Sequence, residues 1–159
     1  NCPLEAMLIV YQELMGSRSN VDLTSIKDAA SLFRRLGFHI SEYYPLVGNN
    51  AFQTKAGIHI DGMLKNPEVY LPFDPERVLG IKPKVEINSY SGKAGVVYWL
   101  LNNFNISHDH IKNDKRVDLM YSEIVKMFEN GRKNPITDLE MLNLVKNYMP
   151  ELLENIRSS

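Results

Sequence analysis

The sequence predicts a mostly α-helical fold, and three observations carry that expectation. Apolar residues return at helical spacing in one stretch after another. Helix-capping residues stand in front of several of those stretches. Strand-like patterning is confined to two short runs.

The elements follow in order. Pro3 and Glu5 suit a first helical turn, and Leu4, Met7, Leu8, Tyr11 and Leu14 repeat at helical spacing until Gly16. "SRSN" reads as a loop and "VDL" as a short strand. Thr24 or Ser25 then caps a helix whose apolar face is Ile26, Ala29, Ala30 and Phe33, ended by Gly37. Helix, short strand and helix is the rhythm of an α/β unit. It breaks at "FHISEYYPLVGNN", which has no helical period and reads as an extended connector. A helix is expected over 57–65, after which Pro67, Pro72 and Pro75 bar regular helix. "KVEINS" alternates as a strand does, and "SGKAGVVYWLLNNF" resumes a helix despite Gly95. Ser107 is placed to cap a long helix reaching about Asn130, with Ile111, Met120, Ile124 and Phe128 at apolar positions. Thr137 with Glu140 forms a capping box for the last helix, which Pro150 should kink or split.

Composition limits the functional classes. The 159 residues suffice for one modest domain or two small lobes, with 44% hydrophobic residues to build a core. A net charge of -1, with Lys and Arg spread along the chain, argues against a nucleic-acid partner. The single cysteine, Cys2, excludes an internal disulfide and fits a reducing, cytoplasmic setting. Cys2 itself reads as a small buried hydrophobe. The apolar runs "AMLIVY" and "GVVYWLL" fall well short of the roughly 20 residues of a membrane span, and no signal peptide is visible, so no membrane partner is expected. The chain enters a helical pattern almost at its first residue, and reads as a piece of something longer or a processed chain.

Several residues are candidates for chemistry. The His59 imidazole is of the side-chain type most often used to move a proton; the alternative is a histidine half-buried at a lobe interface. The Tyr70 hydroxyl could hydrogen-bond a substrate oxygen or fix a neighbouring acid; the alternative is an aromatic plug between elements. His108 and His110 look like a metal pair, but residues two apart on a helix do not face each other. They read as a solvated helix terminus, with no stoichiometric zinc uptake expected. "SGKAG" lacks the spacing of a phosphate loop. Its glycines suit a tight turn and close helix packing, and Lys93 near a helix start could meet an anion. The Asn1 side-chain oxygen is of a type that ligates hard divalent cations.

Three stretches in sequence order, "NCPLEAM", "NNAFQTKAGIHIDGMLKNPEVYLPFDP" and "VEINSYSGKAGVVYWL", resemble the 2-isopropylmalate synthase and homocitrate synthase family, which also includes citramalate synthase and the Re-type citrate synthases. The spacing of "KAGIH.DG.LKNPE.Y" followed by "SGKAGV.Y" is the specific part. The resemblance implies the C-terminal fragment of a (β/α)8 barrel followed by a linker and small helical subdomains. Residues 1–48 would be the last barrel unit and connector, 49–86 a linker subdomain carrying the "GIH" segment, and 87–159 a helical subdomain.

The resemblance also implies chemistry. Family members condense acetyl-CoA, as co-substrate, with a 2-oxo acid in a Claisen-type reaction and then hydrolyse the thioester. A divalent metal (Zn, Mg or Mn) serves in the full-length enzyme. The subdomains cross to the partner barrel of a homodimer, and the "GIH" segment delivers an acid/base histidine in trans, assisted by a following tyrosine. Those residues match His59 and Tyr70, and Asn1 matches an asparagine at the metal site. Gly57 would let the backbone approach the partner's site. His108 and His110 fall outside the family's histidine pair, and no residue here is matched to CoA binding. 2-Isopropylmalate synthase is the first expectation, with homocitrate, citramalate and Re-citrate synthase as alternatives and the isolated fragment inactive. An alternative of another class is a non-catalytic helical dimerisation module presenting Phe38, Tyr43 and Tyr44.

Overall fold

Apolar side chains collect into two separate cores, and the chain divides with them. A computed structural model describes residues 2–17, 21–66 and 69–154. In chain order the elements are α1 (Leu4–Ile9), running on through a π-helical stretch Val10–Leu14, then α2 (Ser25–Arg35), β1 (Gln53–Thr54), α3 (Gly57–Lys65), α4 (Pro75–Leu79), β2 (Lys84–Val85), α5 (Gly92–Asn103), α6 (His108–Lys112), α7 (Lys115–Glu129), α8 (Asp138–Tyr148) and α9 (Glu151–Glu154). The chain is mostly helical, as expected. β1 and β2 pair with each other. The chain forms two compact units, one of residues 1–53 and 67–84, the other of 54–66 and 85–154 among those described.

The first unit holds α1, α2 and α4 around Ile9, Leu23, Phe73, Val78 and Leu79. "VDL" forms no strand. Its Asp22 carboxylate instead accepts the Thr24 N–H and hydroxyl, folding the segment into a turn that buries Leu23. Neither Thr24 nor Ser25 caps α2 with its side chain; the Ser25 hydroxyl donates to the Asp22 carbonyl. α2 ends at Gly37, whose φ of 88° lets the Gly37 and Phe38 amides reach the Arg34 and Phe33 carbonyls. The accompanying apolar contact is the edge-on packing of Phe33 against Phe38. "FHISEYYPLVGNN" is irregular but not extended. Bonds from Gly48 N–H to the Tyr44 carbonyl and from Asn50 N–H to the Glu42 carbonyl fold it back on itself. Pro75 does not bar helix. It opens α4 at the first helical position, where its missing N–H costs nothing, and the Asp74 carboxylate caps the Glu76 and Arg77 amides.

The second unit packs α3, α5, α7 and α8 around one continuous core that includes Val96, Leu100, Met120, Ile124, Met141 and Val145. The expected long helix from Ser107 is two. Ser107 makes no side-chain cap, α6 stops at Asn113, and Asp114 caps α7 by accepting the Arg116 N–H. "KVEINS" supplies β2 and then a single antiparallel bridge from Ile87 to Ile136. The Thr137–Glu140 capping box opens α8 as expected. Asp138, in the first turn of α8, also accepts the Trp99 indole N–H at 2.7 Å. Met149, at φ -142°, breaks the helix before Pro150, and α9 follows as a separate turn.

Candidate functional site

The segment with the densest signature, α3, is positioned by backbone rather than by a cap. Ala56 is extended, and no side chain caps the helix start. Instead the Gly57 N–H donates to the Tyr90 carbonyl at 2.9 Å. A Cβ at Gly57 would stand 2.9 Å from the Ser91 carbonyl oxygen, which explains the glycine. This close approach is to its own chain. On the other side of the junction, a Cβ at Gly95 would meet the Ser91 Oγ at 2.7 Å, and Gly92 sits at φ 61°. The "KAGIH" and "SGKAG" motifs are thus two halves of one joint between α3 and the start of α5.

That joint rests on a buried polar turn. The Ser91 hydroxyl donates to the Asn88 carbonyl and accepts the Asn88 N–H, while the Asn88 side-chain oxygen accepts the Tyr90 N–H at 2.8 Å. Ser91 is wholly buried. With their bonds satisfied, these groups make a fixed support. The sequence reading missed both residues; the Asn-x-x-Ser spacing before a glycine was the available signal.

From this support α3 buries Ile60 and Met63 and turns Ile58, 81% exposed, and His59 outward. His59 is therefore not the half-buried residue that the alternative reading allowed. Tyr70 is 41% exposed and belongs to the first unit, whereas His59 belongs to the second. Asn1 lies outside the described residues. Cys2 is exposed, not buried, because it precedes α1 and has no core to enter.

Beside α3 is a cavity of about 220 Å³ lined by Asp61, Leu64, Lys93, Val97, His108 and Lys112. Its charges are largely answered. Lys93 pairs with Asp118 at 2.6 Å. Hydrogen bonding from Lys65 holds the Asp61 carboxyl below the usual carboxylate range, with Lys112 and His108 adding smaller attractions. His108 is half-buried against this cavity while His110 is exposed, so the two do not converge. Among the described residues no three His, Cys, Asp or Glu side chains gather as a metal set. None of the described helices is long and apolar enough to cross a membrane.

Comparison with known proteins places this geometry in a lineage. Residues 46–131 match the family model described as "Homocitrate synthase post-HMGL domain-like". The chain is 35% identical to a citrate (Re)-synthase of Clostridium kluyveri over 97% of this chain and 35% of the relative. It is 36% identical to a citrate (Re)-synthase of Syntrophus aciditrophicus over 96% and 25%, respectively. It is 28% identical to a 2-isopropylmalate synthase of Buchnera aphidicola over 98% and 30%. The chain thus spans about a quarter to a third of these relatives. With the match covering α3, its glycine joint and α5 to α7, the chain belongs to the homocitrate synthase post-HMGL domain-like family, the C-terminal region of the 2-isopropylmalate synthase and homocitrate synthase family.

Proposed function

We propose that the full-length protein is an acyltransferase that condenses acetyl-CoA with a 2-oxo acid, and that this chain contributes the acid/base histidine. A proton leaves the acetyl methyl group, a carbon–carbon bond forms to the oxo carbon, and that carbonyl becomes a hydroxyl. Water then cleaves the thioester, releasing CoA and a carboxylate. His59 takes or returns a proton near the enolate or the new alkoxide, and must come within about 3 Å of the oxygen or a bridging water. Tyr70 orients His59 or the substrate. In a homodimer these residues would serve the partner's barrel.

The observation that carries this reading is the outward His59 on a helix locked by buried Ile60 and Met63. A group delivered to another subunit must be exposed in its own and rigidly held. A second support concerns residues 1–48, proposed as the last barrel unit and connector, with 49–86 as linker subdomain and 87–159 as helical subdomain. α1 and the π-helical stretch that continues it leave Leu4, Met7, Tyr11 and Leu14 exposed, a face suited to the rest of a barrel. Asn1 is proposed as this chain's contribution to a divalent-metal site (Zn, Mg or Mn), to be checked by the metal content of an Asn1→Ala protein.

Among 2-oxo acids, oxaloacetate is favoured. The citrate (Re)-synthases are 35% and 36% identical, against 28–31% for the relatives named 2-isopropylmalate synthase. The branched-chain 2-oxo acid that would yield isopropylmalate is the alternative. The test is a panel of 2-oxo acids offered with acetyl-CoA to the full-length protein, following free thiol release. His59→Ala should lower kcat by about 10²-fold or more with little loss of metal. Unchanged turnover would remove His59 from the mechanism.

A further inference from the structure

A second cavity, in the first unit, has a different character from the one beside α3. It occupies about 470 Å³, within the range of small-molecule sites of about 300–1,000 Å³. Its wall carries four cations, Lys27 and Arg34 from α2 and Lys82 and Lys84 from the segment after α4, together with Ser31 and Asn49. No carboxylate lines it among the described residues. Lys27, Arg34, Lys82 and Lys84 lie far apart in sequence, so neither composition nor local pattern gathers them.

The way these cations are held matters more than their number. The Lys27 ammonium donates to the Gly80 carbonyl at 3.1 Å, Arg34 Nη2 to the Val47 carbonyl at 2.6 Å, and the Lys84 ammonium to the Asn49 carbonyl at 3.5 Å. A carbonyl fixes the position of a cation without cancelling its charge. Among the described residues, only Lys82 of the four meets a carboxylate, Glu76, at 3.5 Å in an exposed pair that contributes little. Arg34 Nε is buried and has no hydrogen-bond partner. Guanidinium presents its N–H groups as a planar fork suited to oxyanions, and an orphaned buried N–H is costly. Like charges gathered around one cavity repel each other, and a bound anion would offset that repulsion.

We propose that this cavity is a binding site for a phosphate-bearing anion, with Arg34, Lys27 and Lys84 supplying charge. A free-anion site stands independently of the reaction proposed above, and the co-substrate assignment rests on that reaction. The phosphates could belong to a free inorganic anion or to the phosphorylated end of a co-substrate such as CoA; the chemistry recognised is the same.

The test is calorimetric titration of the full-length protein with inorganic phosphate, pyrophosphate, CoA and dephospho-CoA at fixed ionic strength. Pyrophosphate should bind with one site per chain and more tightly than phosphate. A Lys27→Gln/Lys84→Gln protein should bind pyrophosphate at least tenfold more weakly, with an unchanged thermal midpoint in the absence of anion. If that protein unfolds, Lys84→Gln alone, at an exposed position, should still weaken binding severalfold. A parallel loss for CoA, smaller for dephospho-CoA, assigns the phosphates to the co-substrate. CoA binding unaffected by the variants assigns them to a free anion. No saturable pyrophosphate binding, or equal binding by parent and variants, overturns the site.

Discussion

The two units bury their apolar residues to different extents, although the second also leaves Ile58, Leu119 and Leu139 exposed. In the second, Val96, Leu100, Met120, Ile124, Met141 and Val145 disappear into one core. In the first, Ile9, Leu23, Phe73, Val78 and Leu79 form the buried centre among the described residues, while Leu4, Met15, Leu32, Leu36 and Phe38 stay on the surface. A groove of about 290 Å³ between α1 and α2, lined by Leu4, Leu8, Ile26, Ala29 and Phe33, continues that apolar surface. The difference teaches that the α3 segment is built on the self-sufficient unit. The first unit carries an unsatisfied face and, on another wall, unneutralised charge. His59 stands on the unit with the larger core; the exposed Leu4, Met15, Leu32, Leu36 and Phe38 belong to the other.

The largest expected effect tests the contrast directly. Met120→Ala or Leu100→Ala should lower stability by about 2–5 kcal/mol in urea unfolding, while Leu36→Ala should stay within about 0.5 kcal/mol for this chain. Equal losses would erase the contrast. Repeating Leu36→Ala in the full-length protein sharpens it, since a covered face would raise the cost.

Next come two glycines of α3. Gly57→Ala should destabilise by about 1–3 kcal/mol, because its Cβ meets the Ser91 backbone. Gly62→Ala should stabilise by about 0.4–1 kcal/mol, since nothing lies within 4 Å of its Cβ. Thermal midpoints that rank these two the other way would refute the glycine joint.

The smallest effect concerns α8. Thr137→Ala should cost about 1 kcal/mol. Glu140, bonded first by Arg132 and then by the Thr137 amide and hydroxyl, has its carboxyl pulled down to about 2. A depressed folded pKa stabilises above the unfolded value, near 4.5, and that contribution is lost as pH falls through about 2. Glu140→Gln should flatten the stability–pH curve across that window, measured by thermal melts.

What the sequence made legible was local. The 57–65 helix, the capping box at Thr137 and the break at Pro150 each depend on residues a few positions apart, and each is present. The misreadings share a cause. Asp22 takes the Thr24 amide and hydroxyl and so turns the chain just after 21–23, Asp114 restarts a helix that periodicity alone carries through, and Pro75 sits where its missing amide is harmless. For the site, the glycines of "KAGIH" and "SGKAG" marked themselves, but their shared reason is an approach across distant stretches. The cationic cavity left no local trace, because α2 and the segment after α4 meet only in the folded unit.

The Gly57 amide held by the Tyr90 carbonyl has a consequence for how this lineage can vary. The start of α3, and with it the direction of His59, is fixed by a loop more than thirty residues away in sequence. A change at Tyr90 or its neighbours can therefore reorient α3 while the sequence of the helix itself stays untouched.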